Sequence, residues 1–268
     1  MADERILARC TAGRNGNLVL SPAEGFWSDC PCVETDPSVS AYQIFDDFVE
    51  SSVGIVTSKW YKVVDTGSAA LASAAALALG GITKFDTTVA QNKWACLRVV
   101  DADAAQGAFR IVANSGKKLW FAARIYSSSV ALTGQIIYVG LGDGTTDQCG
   151  ANGTGESAFT DGLYLRTLTA SPTALDFACI NALTAESPKS AIKTIATATW
   201  YTIGFKFDGR GAVQAYANGL AVGSPILVAD TAFPTLVGLT PYLYLQKGDA
   251  AAASKTLYVD WVKCVQLR

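Results

Sequence analysis

From Lys117 to the C-terminus, apolar and polar residues alternate in short runs punctuated by glycine, asparagine and aspartate. A period of two predicts half-buried β-strands, and so many short strands between tight turns imply two stacked antiparallel sheets. Strands are predicted at 42–48, 60–64, 81–85, 94–100, 108–113, 118–126, 135–141, 162–168, 174–180, 191–194, 200–207, 212–217, 220–222, 242–246 and 256–265. Tyr201, Ile203, Phe205 and Phe207 fall at alternate positions and are expected to share a core-facing side. Asn218-Gly219 predicts a type I′ hairpin turn, because that turn needs positive φ at both central residues. Asp208-Gly-Arg-Gly211 supplies a second turn. The Ala-rich run 69–79 fits a short helix as well as a strand.

Residues 1–40 break the pattern. They carry Gly13, Gly16, Pro22, Gly25, Pro31 and Pro37 with little sustained alternation, and read as an extended N-terminal arm ahead of a sandwich over 41–268. Such arms are ordinarily disordered alone. Holding one in place costs enough conformational entropy that substantial contacts must offset it, and a neighbouring subunit supplies them more readily than a free monomer does. The arm is therefore expected to make intermolecular contacts.

Leu119-Trp-Phe-Ala-Ala-Arg-Ile125, Trp200-Tyr-Thr-Ile-Gly-Phe-Lys-Phe-Asp208 and Leu257-Tyr-Val-Asp-Trp-Val262 resemble the concanavalin A-like (laminin G-like) jelly-roll domains of bacteriophage virion proteins. The resemblance spans about 42–268 and is strongest over 117–268. It implies that Phe45-Asp-Asp-Phe48 and the closing strand around Tyr258-Val-Asp-Trp-Val262 bring the ends of the domain together. It also implies a virion structural protein assembled in the host cytoplasm: a capsid decoration or cement module, with the major capsid protein as partner and a homo-oligomer, a trimer suiting local threefold positions. The alternative is a carbohydrate-binding module or adhesin recognising host polysaccharide. A glycan-modifying enzyme is the third reading, since one fold hosts all three.

Composition bears on these choices. A net charge of −2 with 16% charged residues leaves no extended basic surface for a nucleic acid. The start shows no basic stretch leading into an apolar one, so no secretory signal is expected. The longest apolar run, 69–82, is shorter than the roughly 18 to 20 residues that span a bilayer. Seven cysteines (Cys10, Cys30, Cys32, Cys96, Cys149, Cys179 and Cys264) are odd in number and scattered, and are expected to be reduced. Cys96, Cys179 and Cys264 sit in apolar runs as small hydrophobes. Cys30-Pro-Cys32 with Cys10 suggests zinc only weakly, because the spacing is short and the chain has no histidine to complete the set.

The lack of histidine also removes Ser-His-Asp and Cys-His chemistry. A retaining glucanase needs two carboxylates about 5 Å apart, and Glu4, Glu24, Glu34, Glu50, Glu156 and Glu186 are far from one another in sequence. Asp46-Asp47, adjacent in a strand, would point to opposite faces, so a hydrogen bond fixing the first strand is the expected role. The loop 141–156 carries Asp143, Asp147, Asn152 and Glu156, which calcium would accept, but its spacing is not that of an EF-hand and turn formation is the plainer reading. The six glycines from Gly140 to Gly155 precede neither Lys-Ser/Thr nor a helix, so no phosphate cradle is expected. Trp27, Trp60, Trp94, Trp120, Trp200 and Trp261 would stack on sugars if exposed, yet most are expected in the core or its rim. The expectation is thus a non-enzymatic module with no catalytic, metal or cofactor residues.

Overall fold

The structure is a computed structural model and describes residues 22–30, 41–48, 60–65, 69–73, 81–99, 107–128, 133–143, 154–182, 186–250 and 253–268. These form two eight-stranded antiparallel sheets and one short helix. The first sheet runs β14 (Leu220–Leu227), β13 (Ala212–Ala217), β12 (Trp200–Phe207), β7 (Leu119–Ser127), β16 (Thr256–Leu267), β4 (Thr83–Thr87) and β3 (Ala69–Ser73), with β1 (Ala41–Asp46) also on β16. The second runs β11 (Ser187–Thr194), β10 (Ser171–Ile180), β9 (Gly162–Leu168), β8 (Gln135–Gly142), β15 (Gly238–Lys247), β5 (Trp94–Arg98) and β2 (Tyr61–Val64), with β6 (Phe109–Arg110) on β15. This is the predicted two-sheet jelly-roll. No helix of the described residues is long and apolar enough to cross a membrane.

The closing strand does pair with the opening one, with Ala41 opposite Leu267 and Asp46 opposite Val262. One edge of β16 lies along β7, while the other is divided between β4 at Thr256–Val259 and β1 from Val262 to Leu267. The register shifts between Val259 and Trp261, which frees Asp260 to meet Arg124 at 2.7 Å. Asp46 ends β1 in the expected role: its carboxylate accepts Phe48 N and the buried Trp60 Nε1, each at 2.7 Å.

Between the sheets, Phe205 stacks on Phe121 beside it and on Phe177 across the sandwich, with centroids 5.0 and 5.5 Å apart. Ile203, Phe205 and Phe207 are fully buried, as their spacing predicts, and Tyr201 packs half-buried against the same core. Asn218 and Gly219 both take positive φ, so the β13–β14 hairpin closes with the predicted turn chemistry. The 69–73 part of the alanine-rich run is a strand, because its backbone groups complete the edge of β4.

Several boundaries differ from expectation. The strand expected at 108–113 shrinks to Phe109–Arg110, since Ile111 turns into the core and Val112 O accepts Ser115 N in a turn. β11 begins at Ser187 rather than 191, because its pairing with β10 resumes beyond an irregularity at which Asp176 accepts Ala191 N at 2.7 Å. β14 continues through Pro225 to Leu227 as the sheet edge, where proline is tolerated.

The arm also departs from an extended form. Pro22–Trp27 is a helix, with proline suited to the first turn. Phe26 is buried against Trp120, Ala122 and Val265 on the outside of the first sheet, with Tyr216's ring 4.8 Å away. Asp29 anchors it by ion pairs to Lys118 at 2.8 Å and Lys206 at 2.6 Å. Residues 1–21 and 31–40 of the expected arm lie outside the described residues.

Asp46→Ala leaves the buried Trp60 indole N–H without its acceptor and is expected to cost about 1–3 kcal/mol, read as a lower urea midpoint at unchanged slope. Burial works to raise the Asp29 pKa, but the hydrogen-bonded ammonium groups of Lys118 and Lys206 hold it below the ordinary carboxylate value. A depressed folded-state pKa gives stability that is present above the unfolded value and lost as pH falls through the folded one. Tryptophan emission from the helix seat is therefore expected to stay constant down to about pH 4 and to change below it, and Asp29→Asn is expected to abolish that transition.

Candidate functional site

The outer face of the second sheet is where the chain concentrates polar and aromatic chemistry. Alternation sends Ile137, Val139 and Leu141 of β8 inward and Ile136 and Tyr138 outward. Tyr164, Tyr242, Tyr244, Cys96 and Phe159 join this outward cluster, and all are buried. Both faces of β8 are therefore covered.

The cover is the segment between Thr154 and Asp161. A β-carbon at Gly142 would lie 2.2 Å from Phe159 Cε1, so the ring sits directly on bare backbone. Tyr138 donates its hydroxyl to Gly155 O. Glu186 accepts Ser157 N at 2.9 Å and the Tyr164 hydroxyl, and it pairs with Arg166. Burial pushes the Tyr164 pKa well up, and the Glu186 charge adds to the rise. Burial opposes the Arg166 cation, but the Tyr138 and Tyr164 oxygens with Glu186 hold its pKa above the ordinary value. Arg166 is thus a permanent buried cation whose counter-charge is Glu186.

Toward β5 and β2 the same face opens. Trp94 is half-buried and stacks on Tyr244 at 6.0 Å. Arg98 donates to Tyr242 Oη at 3.1 Å and lies 5.0 Å over the ring of Tyr61, which is 36% exposed.

The acids on this side are committed to structure. Asp143 accepts Thr160 N at 2.8 Å and Asp161 N at 3.3 Å, and Asp161 accepts Ala182 N at 3.2 Å. Burial, with Asp143 nearby, raises the Asp161 pKa. Two carboxylates with one pKa raised is the nearest approach to acid–base chemistry among the described residues, yet both serve to fasten loop backbone. Of the calcium candidates, Asp143 serves this turn, Glu156 is exposed, and Asp147 and Asn152 lie outside the described residues. Among the described residues no three metal-binding side chains gather. Of the proposed zinc set, Cys10 and Cys32 lie outside the described residues and Cys30 is buried beside the helix. Cys96, Cys179 and Cys264 are free and fully buried, and burial pushes the Cys179 thiol up to about 12. Trp60 and Trp120 are buried, while Trp27, Trp94, Trp200 and Trp261 keep part of their surface.

Sequence reasoning missed the buried tyrosines. Their signal was present: Gln135-Ile-Ile-Tyr-Val-Gly-Leu and Leu239-Thr-Pro-Tyr-Leu-Tyr-Leu245 are nearly continuous apolar runs, the pattern of a strand covered on both faces.

No family model matches the chain, and no curated protein matches it in sequence. Solved structures do match in shape. The non-specific endo-β-1,3(4)-glucanase SCLam of family GH16 is 12% identical with a TM-score of 0.57, covering 85% of this chain and 92% of the enzyme. The Emp47p carbohydrate recognition domain is 12% identical with a TM-score of 0.54, at 87% and 100% coverage. Peanut lectin is 10% identical with a TM-score of 0.54, at 84% and 97% coverage. At such identities the likeness establishes the concanavalin A-like jelly-roll fold.

Glu186→Gln leaves Arg166 buried without a counter-charge and is expected to destabilise by about 3 kcal/mol in urea unfolding. The double variant Arg166→Met with Glu186→Leu is expected to recover most of that loss, because it removes both desolvated charges.

Proposed function

We propose that this chain is a non-enzymatic binding module set on the outside of a bacteriophage particle, where it decorates the capsid. The observation that carries the non-enzymatic part is the filled outer face of the second sheet. Phe159 lies over Gly142, Glu186 is spent on Arg166, Tyr164 and Ser157, and the neighbouring aspartates are spent on backbone amides. A glycosidase acting at that face would need an open cleft and two convergent free carboxylates. The phage setting rests on the sequence resemblance, with the major capsid protein as partner and a closed homo-oligomer as the assembly. Residues 22–30 belong to the sandwich, since Phe26 completes a cluster with Trp120, so attachment is assigned to the segment before Pro22.

A second reading is carbohydrate recognition on that same particle. It is favoured by the fold, which this chain has in common with the Emp47p carbohydrate recognition domain and peanut lectin, and by the ring surface that stays accessible at Trp94 and Tyr61.

Mass spectrometry of purified particles is expected to find the chain at a fixed ratio to the major capsid protein. Deleting residues 1–20 is expected to leave the melting temperature unchanged and abolish binding to undecorated capsids, whereas deleting 1–40 also exposes Trp120 and lowers the melting temperature. Absence of the chain from particles would overturn the capsid assignment, and retention on a glycan array in that case would favour the second reading.

A further inference from the structure

The outer face of the first sheet bears three rings that belong to none of the buried clusters. Trp200 on β12 stands opposite Tyr126 on β7, and Tyr126 stands opposite Tyr258 on β16. Their centroids are 5.2 and 5.7 Å apart, and each ring is half-buried. The row is thus one aromatic residue per strand, spaced by the sheet itself. It continues to Lys84 on β4, opposite Tyr258, which is bonded to Asp86 at 2.7 Å. Beside it, the Arg124 guanidinium lies 4.8 Å over the Trp200 ring and pairs with Asp260 at 2.7 Å.

Core packing does not require this row, since the inward residues of the same strands already fill the sandwich. Its chemistry is that of rings bordered by donors and acceptors whose charges cancel in pairs. A polyanion needs unpaired cations, and both cations here are neutralised by a carboxylate within 3 Å. A stable protein interface buries about 800 Å² per partner around an apolar centre, which three rings between two ion pairs do not offer. A neutral sugar chain fits: its C–H faces pack on rings spaced one strand apart, and its hydroxyls bond both to the carboxylates and to the cations.

We propose that Trp200, Tyr126 and Tyr258 form a platform for a neutral polysaccharide running across the strands, with Arg124, Asp260, Lys84 and Asp86 bonding its hydroxyls. This rests on the carbohydrate reading and gives it a site away from the filled face of the second sheet. The test is affinity electrophoresis of the full chain in gels containing laminarin, galactomannan or dextran sulfate. Migration is expected to be retarded by laminarin or galactomannan, and Trp200→Ala or Tyr126→Ala to weaken that retardation roughly tenfold, equivalent to ~1.4 kcal/mol. Tyr258→Lys keeps an aliphatic stem on the sheet and is expected to weaken binding while leaving the melting temperature near wild type. Leu227→Ala, exposed at the far end of β14 opposite Ala212, is expected to bind as wild type. Unchanged retardation of all three row variants overturns the platform and leaves carbohydrate recognition standing. Failure of both neutral polysaccharides to retard the wild type, or retardation by dextran sulfate alone, overturns the platform and the neutral-glycan reading together.

Discussion

The fold turns on the division of one strand edge. β16 gives its whole length to β7 on one side, while its other side must serve both β4 and β1, which approach from different parts of the chain. A single flat strand would hold both partners in one plane. The irregularity between Val259 and Trp261 adds local twist where one partner gives way to the other, and places Asp260 under Arg124. With this arrangement the N-terminal strand is closed onto the C-terminal one, and the inward residues on both sides of the irregularity, Leu257 and Val259 before it, Val262 and Cys264 after it, are buried.

β15 is the counterpart in the second sheet, flanked by β8 along one side and by β5 and β6 on the other. β15 and β16 are consecutive in the chain but lie in opposite sheets, so the link between them crosses the end of the sandwich. Asp249 in that link pairs with Lys247 at 2.8 Å and reaches Lys255 at 3.4 Å, both lysines being buried. Their ammonium groups hold the Asp249 carboxyl below its ordinary pKa even though burial opposes it. The crossing point is therefore electrostatic where the sheets themselves are apolar.

The two outer faces have been put to different uses. On the second sheet the chain folds its own Phe159 segment over tyrosines, a double layer that buries both sides of β8, β9 and β15, while ring surface remains at Trp94 and Tyr61. On the first sheet a short helix covers one end, held by Asp29, and the other end keeps its rings at the surface. A face filled with its own side chains adds buried apolar area and hence stability, while the first sheet keeps the rings of Trp200, Tyr126 and Tyr258 partly exposed.

Most strands were legible because one-sided burial writes a period of two into the sequence: 200–207 and 212–217 coincide with the observed β12 and β13. The type I′ turn at Asn218-Gly219 was legible because its φ requirement selects residue type locally. The aromatic face of the second sheet was not. Alternation reports that one side of a strand is buried, and when both sides are, as in β8, the signal flattens and the second partner goes unnamed. Nor does any local pattern join Trp200, Tyr126 and Tyr258, which are far apart in the chain and become neighbours only through strand register. By itself, then, the sequence determined the class of fold and the want of histidine chemistry, because these follow from composition and short-range spacing, while the closing of its ends was implied by the family resemblance. Which faces are covered, which acids are spent on buried cations, and which rings stand in one row were decided by tertiary structure alone, because they depend on contacts between residues far apart in the chain.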